Sequence, residues 1–298
     1  MLKDIIKRKI IIIVLSLSIF LLTILFPDIK PISYETNLSY NVETFPLYIT
    51  NKDHVVSLIK VPITENDIIK LARNIISYLT IGSENANYLP DSFLPTIPQN
   101  TRINNIKIDN NILIIDFSNE FLLLKKENAR STIEAIVYSL LEIDNVDGVV
   151  IYVDNNLLTT IPNTSESLRY PLTRKMGTNI ISKINDVRNT VQTTSYYLAK
   201  EKDYSYYIPV TTIQNSNKNK IEIVIEELKS HPHIKTNLIS YLNASTQLTN
   251  YEILAEEIKL SFSNLLDEEV IEETTYVISL SLRDTLDIAK VEIAKSLE

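Results

Sequence analysis

The sequence contains no cysteine and only three glycines and three histidines among its 298 residues. Without cysteine it has no disulfide, no thiolate metal site, no cysteine nucleophile and no cysteine to carry a lipid. Gly82, Gly148 and Gly177 lie too far apart to form a glycine-rich phosphate-binding loop. The enzyme and cofactor-binding classes that depend on these features are therefore excluded.

Positive charge is in deficit over most of the chain. The net charge is −8 and the first 27 residues alone carry +3, so residues 28–298 carry the difference between these values, −11. Such an acidic body argues against binding nucleic acid or anionic lipid through bulk electrostatics. With 45% apolar and 22% charged residues, the composition is that of an ordinary globular protein.

The N-terminus combines four basic residues with the uncharged run 10–26, which as a helix would be about 25 Å long. This pattern predicts a cytoplasmic head and a single transmembrane anchor over 1–27, an extended stalk over 28–44, and a body outside the membrane. A cleaved secretion signal is the alternative. The run is longer than a usual signal, and residues 26–30 lack a small-x-small cleavage site, which favours the anchor.

The body repeats one order of elements. The phrase VPIT at 61–64 returns as IPVT at 208–211, and each copy follows a tyrosine-bearing extended run. After each phrase come a helix-period segment, strand material, a second helix-period segment and a closing strand. We predict an α+β protein with two tandem βαββαβ modules over 45–160 and 204–298, joined by a connector over 161–203. Each module places its helices on one face of its own mixed sheet.

Further details of the first module follow from local signals. A strand, turn and strand are predicted over 47–61, with Thr64 capping the helix that follows. The apolar run 112–117 predicts a strand covered on both faces. Ser131 and Glu134 form a capping box for a second helix.

The second module is more polar. Helices are predicted over 221–228 and 268–282, with strand material over 253–262 and a closing strand over 287–295 that has one wet face. A short helix is predicted within the connector, over 180–198. The wet closing strand and the helix over 268–282 are the predicted partner-facing side. Thr64 should match Thr211, Ser118 should lie near Ser261, and the modules should share no continuous sheet.

A family resemblance rests on packing motifs. The stretches LPTIPQNTRI at 94–103 and ILIIDFSNEF at 112–121 resemble the core of a GerMN domain, and VDGVVIYVD at 146–154 resembles its final strand. The phrases at 61–64 and 208–211 resemble its opening strand and turn. The resemblance implies a ring-building-motif-like fold, a role in sporulation or spore germination, and no enzyme activity. Many members resemble lipoproteins, from which this cysteine-free chain departs.

Candidate metal ligands are few. His231 and His233 could begin a metal site, but no further histidine or cysteine supports it, and a solvated turn is the preferred interpretation. Asp144, Asp147 and Asp154 surround the closing strand of the first module. Their spacing is not that of a calcium loop, so they are interpreted as turn residues.

Candidate catalytic groups are equally sparse. Asp116 and Glu120 flank Ser118 without a nearby histidine, so bonds to the backbone at a strand end are preferred over acid–base chemistry. The acidic residues within 267–273 favour a helix start through its dipole; an acidic surface for a basic partner is the alternative. We predict no enzyme activity and assign no catalytic, cofactor-binding or metal residue.

Tyrosines at 196, 197, 204, 206 and 207 are dense around the connector. They indicate either packing between connector and module or a contact surface.

Two functions remain open. The first is a membrane-anchored extracytoplasmic scaffold or assembly protein of sporulation or germination envelope complexes. Its partners would be other envelope proteins or a second copy of itself. The second is a binding module for a small ligand or peptidoglycan fragment.

Overall fold

The computed structural model describes residues 43–201, 204–230, 238–239, 242, 245–254, 257–263, 268–286, 288 and 290–294. The predicted head, anchor and all but the end of the stalk lie outside these residues. None of the helices that the structure describes is long and apolar enough to span a bilayer.

The first module begins with an antiparallel hairpin and ends with a strand parallel to the middle of its second sheet. Residues 112–117 pair antiparallel on one side and parallel on the other, which makes that sheet mixed. The elements are β1 (Thr44–Asn51), β2 (Val56–Pro62), α1 (Ile68–Leu79), β3 (Phe93–Leu94), β4 (Ile103–Asp109), β5 (Ile112–Phe117), α2 (Lys126–Leu140), β6 (Gly148–Val153) and β7 (Asn156–Leu157).

The second module repeats the order of hairpin, helix, hairpin, helix and parallel closing strand. Its opening strand is predicted over 204–212, but the hairpin partner of that strand, Thr190–Glu201, lies within residues 161–203, which are predicted as connector. Its longest strands are twelve residues each and form the opening hairpin. The elements are β8 (Ile181–Lys183), β9 (Thr190–Glu201), β10 (Tyr204–Asn215), α3 (Lys220–Leu228), β11 (Leu238–Ile239), β12 (Gln247–Leu254), β13 (Glu257–Ser263), α4 (Glu268–Leu286) and β14 (Lys290–Ala294).

The two opening hairpins form one continuous sheet in the order β11-β9-β10-β2-β1-β3, with β8 also pairing with β10. The prediction that no sheet is shared is therefore wrong. The hairpins meet where β2 lies beside β10, with Leu58 paired to Tyr207, so each hairpin partly covers an edge of the other. Because these are equivalent strands and they pair antiparallel, an approximate twofold axis relates the hairpins.

The repeated phrases do not occupy equivalent positions. Tyr48 of β1 pairs with Leu58, and Tyr196 of β9 pairs with Pro209. Thr64 lies six residues beyond Leu58, whereas Thr211 lies only two beyond Pro209. The predicted match between Thr64 and Thr211 is therefore wrong. The first phrase leaves the sheet with the end of β2, whereas the second lies within the longer β10.

The serine match fails for a related reason. Ser118 follows the last residue of β5, and its amide donates to the Arg102 carbonyl. Ser261 lies inside β13 and pairs with Ala294. A local resemblance identified the type of element correctly but not its register.

Both predicted helix caps of the first module are displaced. Asp67, not Thr64, caps α1, and its side chain accepts a hydrogen bond of 2.8 Å from the Lys70 amide. Helix α2 starts at residue 126, so Ser131 and Glu134 lie inside it. Glu134 is buried, and its carboxylate has partners within the protein instead of capping a helix.

The helix predicted over 180–198 is wrong, because these residues form β8 and most of β9. Isoleucine, threonine, valine and tyrosine together make up more than half of this segment and favour a strand. Residues 193–199 are all buried, which makes β9 a central strand covered on both faces. In β5, by contrast, Ile112 and Ile114 are only half-buried, so the small sheet of the first module is fully covered on one face only.

Candidate functional site

The two modules meet through equivalent tyrosines on β1 and β9. The Tyr48 amide donates to Ser139 Oγ of α2 at 2.8 Å, and the Tyr196 amide donates to Ser281 Oγ of α4 at 2.9 Å. β3 pairs with β1, and β11 with β9, only beyond the tyrosine, so neither tyrosine amide has a partner strand on that side. The serines satisfy the two strand edges. Both tyrosines are fully buried, and their hydroxyl oxygens lie 2.8 Å apart.

One helical turn beyond each serine stands a carboxylate. The Tyr196 hydroxyl donates to Asp284 Oδ2 at 2.5 Å. The single proton of the Tyr48 hydroxyl is shared between the Tyr196 oxygen at 2.8 Å and Glu142 Oε1 at 3.1 Å. The sequences SLLE at 139–142 and SLRD at 281–284 therefore place the same two functions in the two modules. The contacts across the junction follow the approximate twofold axis.

Two guanidinium groups neutralise this pair of carboxylates. Arg174, from the connector, lies 2.6 Å from Glu142 and 3.4 Å from Asp284. Arg283 of α4 binds both oxygens of Glu142 at 3.0 and 2.7 Å, and its Nε lies 3.2 Å from Asp284. The four side chains carry no net charge, and only Arg283, at 31%, is appreciably exposed.

Glu142 and the two tyrosines are each held in one protonation state. Burial alone would raise the pKa of Glu142, but Arg174 and Arg283 outweigh it and hold the pKa below its ordinary value. Burial raises the pKa of Tyr48 and of Tyr196, so both hydroxyls stay protonated. Each charge already has an opposite charge beside it. This arrangement fixes two modules against each other and leaves none of these groups directed at a substrate.

Aromatic rings enclose Arg174. Its guanidinium lies 5.7 Å from the Tyr48 ring centroid and 5.2 Å from that of Tyr138. The two rings meet edge to face at 5.2 Å, and the Tyr138 hydroxyl donates to the Arg174 carbonyl at 3.0 Å. Leu280 of α4 completes this cluster. Charge and packing thus stabilise the same contact.

Asn179 bridges β2 and β10 beside the single position at which these strands pair. Its Nδ2 donates to the carbonyls of Val56 at 2.8 Å and Pro209 at 2.6 Å, and its Oδ1 accepts from the Val56 amide at 3.0 Å. The residue has a φ of 47°, a left-handed conformation that asparagine tolerates. The connector therefore links both modules.

The helix predicted to face a partner lies largely within this junction. Thr274, Ile278, Leu280, Ser281 and Asp284 of α4 are buried. The prediction is wrong for this part of the helix, because its serine and carboxylate serve β9 and the first module. The closing strand β14, the other part of that predicted side, keeps Lys290 and Glu292 exposed.

The candidate catalytic residues bond to the backbone. Asp116 accepts from the Asn155 amide at 3.1 Å, and Ser118 Oγ accepts from the Arg102 amide at 2.9 Å. The Ser118 hydroxyl also lowers the pKa of Glu120. These contacts fix the backbone where β5 ends.

The candidate calcium ligands are separated in space. Asp147 accepts from Asn111 Nδ2, and Asp154 from Asn104 Nδ2, each at 3.0 Å. The described part of the chain contains no group of three or more acidic, histidine or cysteine side chains able to hold a metal. His231 and His233 lie outside it, as does the start of the acidic run at residue 267.

The connector-region tyrosines pack within the protein. Tyr197 donates to the Glu227 carbonyl at 3.1 Å, and Tyr207 packs its ring on Tyr276. Two more stack around Phe93 of the first module, namely Tyr204 and Tyr206. Packing therefore describes them better than an open contact surface. Sequence reasoning missed the junction residues, although aligning SLLE with SLRD would have paired the two helices.

Comparisons with known proteins agree with this architecture. The Germane family model, described as sporulation and spore germination, matches residues 46–159. The spore germination protein GerM of Bacillus subtilis (strain 168) is 28% identical over 258 residues, 83% of this chain and 70% of the relative. A solved structure of the tandem GerMN domains of that sporulation protein matches with a TM-score of 0.74. It is 25% identical, with 84% of this chain and 90% of that chain covered. The resemblance to GerMN-domain proteins predicted from the motifs is confirmed.

Proposed function

We propose that this tandem GerMN-like protein is a non-enzymatic scaffold of the envelope complexes that form during sporulation or spore germination. It acts through contacts with other extracytoplasmic proteins. The relatives it resembles are described as sporulation and spore germination proteins, which supports the biological setting. The scaffold role is supported by the junction.

The junction is the observation that carries the proposal. Four charged groups, two tyrosines and a shared sheet join the modules as one body. Opening the junction would break the shared sheet and expose the cluster around Tyr48, Tyr138 and Leu280 to water, so such a junction resists opening. Rigid modules present two surfaces at a fixed spacing and lose little conformational entropy when a partner binds. That property suits assembly.

Ligand binding is the second candidate. A cleft of about 440 Å³ is lined by connector residues together with Arg130 and Met176. A ligand site needs polar groups that converge on the space. Here the Arg130 guanidinium is bound to Glu134 at 2.6 Å, to Glu166 and to the Met176 carbonyl at 3.2 Å. Arg130 is thus engaged by the protein itself, while Arg169 and Lys175 also line the cleft, so the preference for the scaffold rests on the junction and not on this cleft.

The same proposal places the body outside the cell membrane, on an uncleaved anchor over 10–26 with its N-terminus in the cytoplasm. The basic head and the uncharged run support this orientation. Protease added to intact protoplasts should degrade the body. Survival of the full-length chain contradicts this topology. A mature product that starts near residue 27 contradicts the uncleaved anchor.

Deletion and complementation in the native spore-forming host test the function. Loss of the gene should lower the yield of heat-resistant or germinating spores, and the tagged full-length chain should retrieve envelope proteins from sporulating cells but not from vegetative cells. Asp116→Asn and Ser118→Ala should complement fully. Normal spores without the gene contradict the setting, and loss of complementation by a folded Ser118→Ala chain contradicts the non-enzymatic role.

A further inference from the structure

The closing strand of the second module has a regular edge that no other described strand pairs with. Within the residues that the structure describes, β14 pairs only with β13. In the first module, β6 pairs with β7, and Leu172 of the connector bridges to Val149 beside it. At the opposite edge of the β12–β14 sheet, a bulge between Leu248 and Asn250 interrupts the pairing and blunts that edge. β14 is thus the edge best suited to adding a strand.

The outer face of this sheet has an alternating charge pattern. Lys290 lies 2.8 Å from Glu257, and Glu292 lies 3.3 Å from Lys259. Ile258 is buried and pairs with Val291, so these two face the core. The residues on either side of each, which are the four charged ones, therefore share the outer face. β14 therefore presents a positive and a negative side chain, two positions apart, along its free edge.

We propose that β14 pairs antiparallel with β14 of a second copy of this chain, across a twofold axis at Val291. The proposal rests on the scaffold function and names one partner of it. Residues opposite each other in an antiparallel pair lie on the same face of the sheet. The axis at Val291 therefore sets Lys290 opposite Glu292 of the second copy, and the reverse, in two equal contacts.

Charge selects this register. An axis at Glu292 would place two glutamates opposite each other, and an axis at Lys290 would place two lysines opposite each other. A twofold axis between two residues would set an outer-face side chain opposite an inner-face one. Opposed residues must share a face, so the axis has to pass through a residue. On the inner face, the half-buried Val291 would meet its own copy and lose its remaining exposure.

Cysteine cross-linking can test this pairing without background, because the chain has no cysteine of its own. Opposed residues of an antiparallel pair have Cα atoms about 4.5–5.5 Å apart, within disulfide range. Full-length Val291→Cys protein in membranes should form a disulfide-linked dimer on mild oxidation. Ile293→Cys should not, because the two copies of residue 293 would lie about 14 Å apart along the strands. A monomeric Val291→Cys chain, or equal cross-linking at 293, overturns the proposal.

Charge reversal provides an independent test in the Val291→Cys background. Lys290→Glu and Glu292→Lys alone should each reduce cross-linking at least severalfold, because like charges then face each other. Each also disturbs an ion pair with β13, so thermal unfolding must first show that both chains fold. Mixing the two chains should restore cross-linking between them, since every facing pair is opposite again. A mixture no better than either chain alone overturns the proposal.

Failure of this proposal is distinguishable from failure of the scaffold function. If cross-linking fails but deletion still lowers spore yield and envelope proteins are still retrieved, only the self-pairing is wrong. If cross-linking follows the charges but deletion changes nothing in sporulation or germination, the self-pairing stands and the proposed function is wrong.

Discussion

The two modules share their packing contacts but differ at their closing strands. Both bring a serine and a carboxylate, one turn apart on a helix, to a buried tyrosine of the opening hairpin. β6, however, carries Val150 and Tyr152 on its outer face and pairs at its edge with β7. β14 carries Lys290 and Glu292 there, and among the described strands it pairs with β13 alone. The repeated elements hold the protein together, and the diverged surface is the one on which the proposed pairing would occur.

The largest effect is expected from a charge inside the first module. Ile115 is fully buried in β5, so Ile115→Asp would place an unpaired carboxylate in the core. We expect the free energy of unfolding to fall by several kcal/mol, measured by urea denaturation followed by circular dichroism. Lys259→Asp on the exposed face of β13 is the control, with a change of at most about 1 kcal/mol. Equal losses would refute the distinction between inner and outer faces.

The next largest effect separates the buried junction from a surface ion pair. Arg174→Met removes a cation whose side chain is only 12% exposed and leaves Asp284 with Arg283 as its remaining cation. We expect a loss of about 3 kcal/mol. Arg188→Met breaks an exposed pair with Asp186 and should cost less than about 1 kcal/mol. Thermal unfolding of both variants checks this, and similar melting temperatures would contradict the structural weight given to the junction.

Acid should weaken the junction in a definite direction. The folded-state pKa of Glu142 lies below its ordinary value of 4.5, so the unfolded chain binds more protons in acid. The stabilisation by Glu142 is therefore complete above that value and is lost as the pH falls below it. Glu142→Gln should be less stable than the native protein at pH 7, and the difference should shrink towards pH 3. The exposed Glu226→Gln breaks a surface pair with Lys218 and is the control, with an expected cost below about 1 kcal/mol at pH 7.

Much of the fold was predictable because the order of elements is recorded in local periodicity. Helices α1 to α4 and the closing strands fall where apolar spacing places them. Register and caps were not predictable, because the phrases at 61–64 and 208–211 resemble each other without occupying equivalent positions. The junction depends on Tyr48 and Asp284 approaching one network from opposite ends of the chain. No local pattern in the sequence specifies that approach.

The smallest effect tests the equivalence of the two tyrosines directly. Tyr48→Phe and Tyr196→Phe each remove one hydroxyl of the 2.8 Å contact, while arginines still pair with both carboxylates. Each change should cost about 1–2 kcal/mol, and because the hydroxyls bond to each other the double variant should lose less than the sum by about 1 kcal/mol. Tyr170→Phe, whose hydroxyl donates to the Leu158 carbonyl in the first module, should add to Tyr196→Phe without coupling. Urea unfolding of the single and double variants measures both cycles. Strict additivity of Tyr48→Phe and Tyr196→Phe would mean that the two hydroxyls do not interact, and the tyrosine pair would lose its place in the approximate symmetry.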